Sequence, residues 1–80
     1  MSNDTRTVET SLVELWAEAL GQPTVEPEDD FFDLGGNSIM AIRLLPAIQA
    51  RTGVEPSIGM VFDHPTPRAL AAALVELDAQ

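Results

Sequence analysis

The sequence contains neither cysteine nor lysine among its 80 residues. Without cysteine, the chain can form neither a disulfide framework nor a thiolate metal site. Thirteen acidic residues stand against four arginines, and the formal net charge is −9. Proteins that bind nucleic acid need clustered Lys and Arg side chains, so nucleic acid is not an expected partner.

The sequence also lacks a long apolar run and an apolar N-terminal segment. Neither a membrane-spanning helix nor a secretory signal is therefore predicted, and we expect a cytoplasmic protein with no membrane partner. The acidic run from Glu26 to Asp33 lacks the glycine position and the closing glutamate of an EF-hand loop. No metal site is predicted.

Negative charge is concentrated in the first half of the chain. Residues 1–37 hold nine acidic residues and one arginine (net −8), whereas residues 38–80 hold four acidic residues and three arginines (net −1). No acidic residue occurs between Ser38 and Val54. A partner that contacts this segment would therefore meet apolar side chains more than negative charge.

Helical periodicity predicts an all-α fold. We expect residues 1–6 to form a disordered tail and residues 7–78 to form one folded domain, whose first helix runs from Thr7 to Leu20. Thr7 is the predicted N-cap, and a capping box formed by Ser11 and Glu14 is the alternative. The predicted buried face of this helix consists of Val8, Leu12, Leu15, Trp16, Ala19 and Leu20.

Three further helices complete the predicted bundle. The second runs from Ser38 to Thr52 and ends at Gly53, a short third spans Ser57–Phe62, and the last begins with Thr66 as cap and Pro67 as first residue. The fold class is thus a small four-helix bundle with a long first loop and a short third helix.

The inward face of the second helix is predicted from the spacing of its apolar residues. This face consists of Ile42, Leu45 and Ile48, with Ile39 as a possible fourth member. Met40 and Leu44 are assigned to the outward face. Pro46 removes one backbone hydrogen bond and crowds the preceding turn, so we expect a kink or a break there.

Ser38 stands where a glycine-containing loop meets the start of a helix. Unpaired backbone amides at such an end favour an anionic group, particularly phosphate, and Gly35 and Gly36 would leave room for another molecule. Taken alone, such a serine is most often an N-cap. A hydrolase is a weaker alternative, because the nucleophile-elbow glycine is replaced by Met40 and the only histidine, His64, lies in a predicted turn.

Four segments together resemble the peptidyl carrier (thiolation) domains of nonribosomal peptide synthetases, within the acyl carrier protein superfamily. Residues 30–39, DFFDLGGNSI, resemble the modification site of that family. Residues 15–21, LWAEALG, resemble the end of its first helix. Residues 61–66, VFDHPT, and 70–74, LAAAL, resemble the start and the body of its last helix.

The resemblance implies a non-catalytic carrier. It implies 4′-phosphopantetheine attached to the Ser38 hydroxyl by a separate phosphopantetheinyl transferase, with Gly35, Gly36 and Asn37 flanking the site. The terminal thiol would carry amino acids or related acyl groups as thioesters. An adenylation enzyme would load them, and condensation, tailoring or thioesterase enzymes would receive them. Asn37 departs from the His or Asp more common in the family.

The surface that follows Ser38 favours a peptidyl type of carrier. Fatty-acid and polyketide carriers usually show acidic residues along this helix, whereas this chain offers apolar contacts and one positive charge. We expect a monomer that is either free-standing or a domain of a longer synthetase. The alternatives are an acyl carrier protein of polyketide or fatty-acid synthesis and an unmodified helical interaction module. The residues predicted to bind partners are Ile39, Met40, Arg43, Leu44 and Met60.

Overall fold

A computed structural model describes residues 4–79, which contain four α-helices and no strand. Helix α1 spans Thr5–Leu20, α2 Ser38–Thr52, α3 Ile58–Asp63 and α4 Pro67–Asp78. α1 packs against both α2 and α4, and α3 bridges α2 and α4. The predicted all-α fold, with its long first loop and short third helix, is confirmed.

Helix α1 begins two residues before the predicted start at Thr7. Asp4 is the N-cap, and its carboxylate accepts a hydrogen bond of 3.0 Å from the Arg6 N–H. The alternative start at Ser11 lies within the helix and is also wrong. Thr5 and Arg6, which were assigned to the N-terminal tail, are helical, and residues 1–3 of that tail lie outside the described residues.

The centre of the core is formed by two aromatic side chains from different segments. Trp16 of α1 and Phe31 of the first loop are fully buried, with ring centroids 5.3 Å apart in an edge-to-face arrangement. The Pro65 carbonyl accepts hydrogen bonds from Trp16 Nε1–H (3.1 Å) and from the Phe31 backbone N–H (2.9 Å). One carbonyl before α4 therefore fixes both the first helix and the first loop.

The predicted inward face of α2 is largely wrong. The buried residues are Ala41, Leu44, Ile48 and Thr52, whereas Ile39 and Ile42 are exposed. Leu44, which was assigned to the outward face, is only 5% exposed. Both sets of residues satisfy helical spacing, because α2 carries apolar side chains around most of its circumference. Periodicity alone therefore does not select between them.

Helix α2 continues through Pro46 from Ser38 to Thr52, so the predicted break does not occur. Its end at Gly53 (φ 76°) is confirmed.

At the start of α4, Thr66 and Pro67 have their predicted roles, since the Thr66 hydroxyl accepts a 3.1 Å hydrogen bond from the Ala69 N–H. Ser57 precedes α3 as its N-cap instead of forming its first residue.

Two arginines tie the segments together through exposed ion pairs. Arg51 of α2 pairs with Glu14 and Glu18 of α1, and Arg68 of α4 pairs with Glu28 of the first loop (2.6 Å). Glu28 in particular raises the pKa of Arg68.

Among the described residues, no helix has the length and apolar character needed to cross a membrane.

Candidate functional site

Ser38 is the first residue of α2 and does not cap it. That role belongs to Asn37, whose side-chain oxygen accepts a 3.0 Å hydrogen bond from the Met40 N–H. The Ser38 side chain is exposed, and its hydroxyl makes no hydrogen bond with the described part of the chain. The hydroxyl of a serine at a helix start usually caps the helix by accepting a hydrogen bond from a backbone N–H. The Ser38 hydroxyl instead faces solvent.

Asn37 stands where His or Asp is more common in the family that the sequence resembles, and it is well suited to the cap position. Asparagine is among the preferred N-cap residues because its short side chain reaches the N–H groups of the first turn. Its backbone is extended (φ −137°, ψ 177°), as a cap requires. Asn37 thus satisfies one N–H of α2, and the positive end of the helix dipole remains beside Ser38.

The two glycines before the site have different roles. Gly35 adopts φ 105°, which side-chain-bearing residues rarely adopt, and nothing lies within 4 Å of where a Cβ would stand. At Gly36, a Cβ would lie 2.3 Å from the Phe31 ring and 2.7 Å from the Phe31 carbonyl oxygen. The space beside Gly36, predicted to admit another molecule, is therefore filled by the chain's own Phe31.

The loop before Ser38 is held by its own backbone and by one carboxylate. Asp30 Oδ1 accepts hydrogen bonds from the N–H groups of Phe32 (2.8 Å) and Asp33 (3.2 Å). The Gly36 N–H donates to the Phe31 carbonyl (3.0 Å), which closes the turn. Since Phe31 is anchored in the core, this turn fixes the position of Ser38 relative to the bundle.

The solvent-facing side of α2 is apolar near Ser38. Ile39 and Ile42 are 65% and 54% exposed. Arg43 is also exposed and makes no ion pair with the described residues. Met40 is half-buried and, with Ala19, Arg43 and Leu44, lines a shallow groove of about 280 Å³ between α1 and α2.

Phe62 of α3 is a further exposed apolar side chain, which the sequence did not predict as a partner contact. It is 47% exposed, and its ring stacks on Phe32 at 5.4 Å between centroids, with an angle of 18° between the planes. Met60, the predicted contact on α3, is half-buried. The exposed fraction of Phe62 depends on how α3 packs against the loop between α1 and α2. Because α3 has only six residues, its helical periodicity does not predict which of its side chains are exposed.

The described residues contain no group of three or more His, Asp or Glu side chains arranged to hold a metal ion. They do provide a hydroxyl at a helix N-terminus with an apolar surface beside it. That arrangement suits an anionic group joined to the serine oxygen, because the unpaired amides and the helix dipole stabilise negative charge there.

Comparison with known proteins identifies the family. The family model described as the phosphopantetheine attachment site matches residues 10–74. A dimodular nonribosomal peptide synthase of Bacillus subtilis is 46% identical over 66 residues, which cover 82% of this chain but 3% of that protein. The chain therefore spans a small fraction of such a synthase.

Solved structures agree with the family match. A nonribosomal PCP domain superposes with a TM-score of 0.77 at 36% identity, covering 90% of this chain and 92% of that one. A peptidyl carrier protein in complex with the phosphopantetheine transferase Sfp and coenzyme A gives a TM-score of 0.82 at 29% identity, covering 95% and 99%. The chain belongs to the phosphopantetheine attachment family and is a carrier domain of the nonribosomal peptide synthetase type, which carries its phosphopantetheine covalently.

Proposed function

We propose that the Ser38 hydroxyl is the attachment point of 4′-phosphopantetheine and that the arm carries aminoacyl or related acyl groups in nonribosomal peptide synthesis. One observation carries the assignment of the residue. Ser38 is exposed at the first position of α2, while Asn37 supplies the cap that would otherwise occupy a serine hydroxyl. Of the chain's four serines, Ser38 alone lies within the segment that resembles the modification site.

For the attachment reaction, this chain needs only to expose the Ser38 hydroxyl to the transferase. In the transferase, the Ser38 oxygen attacks the coenzyme A phosphorus that bears the pantetheine unit. A new phosphodiester bond forms, the pyrophosphate bridge breaks, and adenosine 3′,5′-bisphosphate leaves. The hydroxyl proton passes to a base of the transferase. The helix dipole and the free amides of α2 favour the phosphodiester charge at this position.

The loaded arm then serves several enzymes in turn. An adenylation enzyme forms a thioester between the terminal thiol and an aminoacyl group, and condensation, tailoring or thioesterase enzymes receive it. The structural neighbour bound to Sfp and coenzyme A supports a phosphopantetheinyl transferase as one partner. The small size of the domain suits repeated docking on these larger proteins.

The proposed docking surface comprises the exposed part of α2 and its neighbours on α3. Exposed large apolar side chains on a small domain, together with a cation that makes no ion pair within residues 4–79, are typical of a protein interface. Leu44 is removed from the predicted set because it is buried, and Phe62 is added. The surface consists of Ile39, Met40, Arg43, Met60 and Phe62.

Intact-mass spectrometry tests the assignment. The protein is incubated with coenzyme A, Mg²⁺ and a promiscuous transferase, beside the variants Ser38→Ala and Ser57→Ala. Ser57 is a matched control, because it also lies exposed at the start of a helix. We expect the wild type and Ser57→Ala to gain one phosphopantetheine and Ser38→Ala to gain none. A mass gain in Ser38→Ala would refute the assignment.

A further inference from the structure

Pro46 leaves one backbone carbonyl of α2 without its usual partner. In an α-helix, each carbonyl accepts a hydrogen bond from the N–H four residues later. Proline has no N–H, and its ring also presses against the carbonyl four residues before it. Because α2 is continuous from Ser38 to Thr52, the Ile42 carbonyl lies inside the helix without that donor.

This carbonyl lies close to the proposed attachment site. Ile42 follows Ser38 by four residues, which places it on the same side of the helix and about 6 Å further along the axis. Ser38, Ile42 and Pro46 are all exposed. The carbonyl therefore belongs to a solvent-facing strip of α2 that begins at Ser38.

The geometry points to this strip, defined by Ser38, Ile39, Ile42 and Pro46, as a resting site for the chain's own phosphopantetheine arm. The inference depends on the proposed attachment at Ser38. Beyond its phosphodiester, the arm carries an apolar carbon with two methyl groups, then a carbon that bears a hydroxyl, and then an amide. The methyl groups match the exposed side chains of Ile39 and Ile42, and the amide N–H matches the acceptor that Pro46 leaves open.

The two surfaces next to the strip are less suited to binding the arm. On the loop side, Phe31 fills the space beside Gly36. The groove between α1 and α2 is lined by Met40 and Leu44, which lie on the opposite side of the helix from Ser38 at about 100° per residue. Of these three surfaces, the strip is the one that combines the side of α2 on which Ser38 lies, an apolar surface and a backbone acceptor.

Hydrogen exchange of the arm tests this inference. The arm is installed from ¹⁵N-labelled coenzyme A, and exchange of its amide protons with water is measured by NMR in the wild type, Pro46→Ala and Gln49→Ala. Alanine restores the N–H that would occupy the Ile42 carbonyl. Gln49→Ala also places an alanine at an exposed position of α2, but it leaves Pro46 and the Ile42 carbonyl unchanged.

We expect the arm's first amide to exchange about two- to tenfold faster in Pro46→Ala than in the wild type, which corresponds to the loss of one hydrogen bond. Gln49→Ala should remain within about twofold of the wild type. Equal exchange in the wild type and Pro46→Ala would overturn the inference, as would acceleration in Gln49→Ala that matches Pro46→Ala. If the wild type takes up no arm, the proposed function itself fails, and the mass spectrum shows this before exchange is measured.

Discussion

Helices α1 and α2 differ by one residue in length (16 and 15 residues) but present opposite surfaces to solvent. The exposed side of α1 is acidic, and Glu14 and Glu18 pair with Arg51. The exposed side of α2 contains no acidic residue, and its large exposed apolar side chains are Ile39 and Ile42. Both helices bury a full apolar face, so core packing does not explain the second apolar face of α2.

The comparison separates two kinds of helix in one small domain. The outer side of α1 is occupied by ion pairs within the chain, whereas the outer side of α2 is left available to other molecules. An 80-residue domain has a free energy of unfolding of about 4–12 kcal/mol. Exposed isoleucines contribute little to it. Substitutions on the two helices should therefore affect different measurements.

The largest expected effect comes from the core of α1. Trp16→Ala removes a fully buried ring and its hydrogen bond to the Pro65 carbonyl, which should lower the free energy of unfolding by about 3–5 kcal/mol. Ile39→Ala on α2 should change it by less than about 0.5 kcal/mol. Urea denaturation measures both variants. Comparable destabilisation by the two would contradict the distinction between the helices.

Gly36→Ala should have the next largest effect, because its Cβ would overlap the Phe31 ring. Crowding of this kind costs about 1–3 kcal/mol of stability. It should also slow arm attachment, since Phe31 holds the turn that precedes Ser38. Thermal unfolding and attachment rates are measured beside Gly59→Ala, where a Cβ meets no atom closer than 3.8 Å. An unchanged melting temperature in Gly36→Ala would refute the close packing.

Ile39→Asp tests the exposed side of α2 without touching the core. A central interface contact is worth more than about 1 kcal/mol, so kcat/KM for aminoacyl loading should fall about fivefold or more. The fold should persist, because an acid in the first turn of a helix is favourable. Ala50→Asp adds the same charge to an exposed position near the other end of α2. Its loading should remain within about twofold of the wild type, and an equal loss would indicate a general charge effect.

The smallest expected effect is on the acidic side of α1. Glu14→Gln removes an exposed ion pair with Arg51, and such pairs contribute about 0–1 kcal/mol. The loss should disappear at about 1 M salt, where exposed charges are screened. Urea denaturation at low and high salt measures it, and aminoacyl loading should be unaffected. A loss of loading would extend the docking surface to α1.

Local sequence signals predicted the fold wherever they had one interpretation. Thr66 followed by Pro67 specified the start of α4, and Gly53 specified the end of α2. The start of α1 was less determined, because Asp4 and Thr7 are both good caps. The structure selects Asp4.

Two features of the site depended on contacts that sequence does not contain. Gly36 was expected to make room for a ligand, whereas a residue five positions earlier occupies that space. The buried face of α2 could not be chosen by period, because apolar residues lie on both sides of the helix. The absence of acidic residues between Ser38 and Val54 agrees with the exposed side of α2, where Ile39 and Ile42 are the large apolar side chains.

Fragmentation of the modified protein tests the central claim most directly. After reaction with the transferase and coenzyme A, the protein is cleaved at its arginines, and the peptide spanning residues 7–43 is sequenced by tandem mass spectrometry. This peptide contains Ser11 and Ser38, and Ser57 falls in another peptide. The account predicts that phosphopantetheine is found on Ser38 alone. Its presence on any other residue, with Ser38 unmodified, would contradict the account.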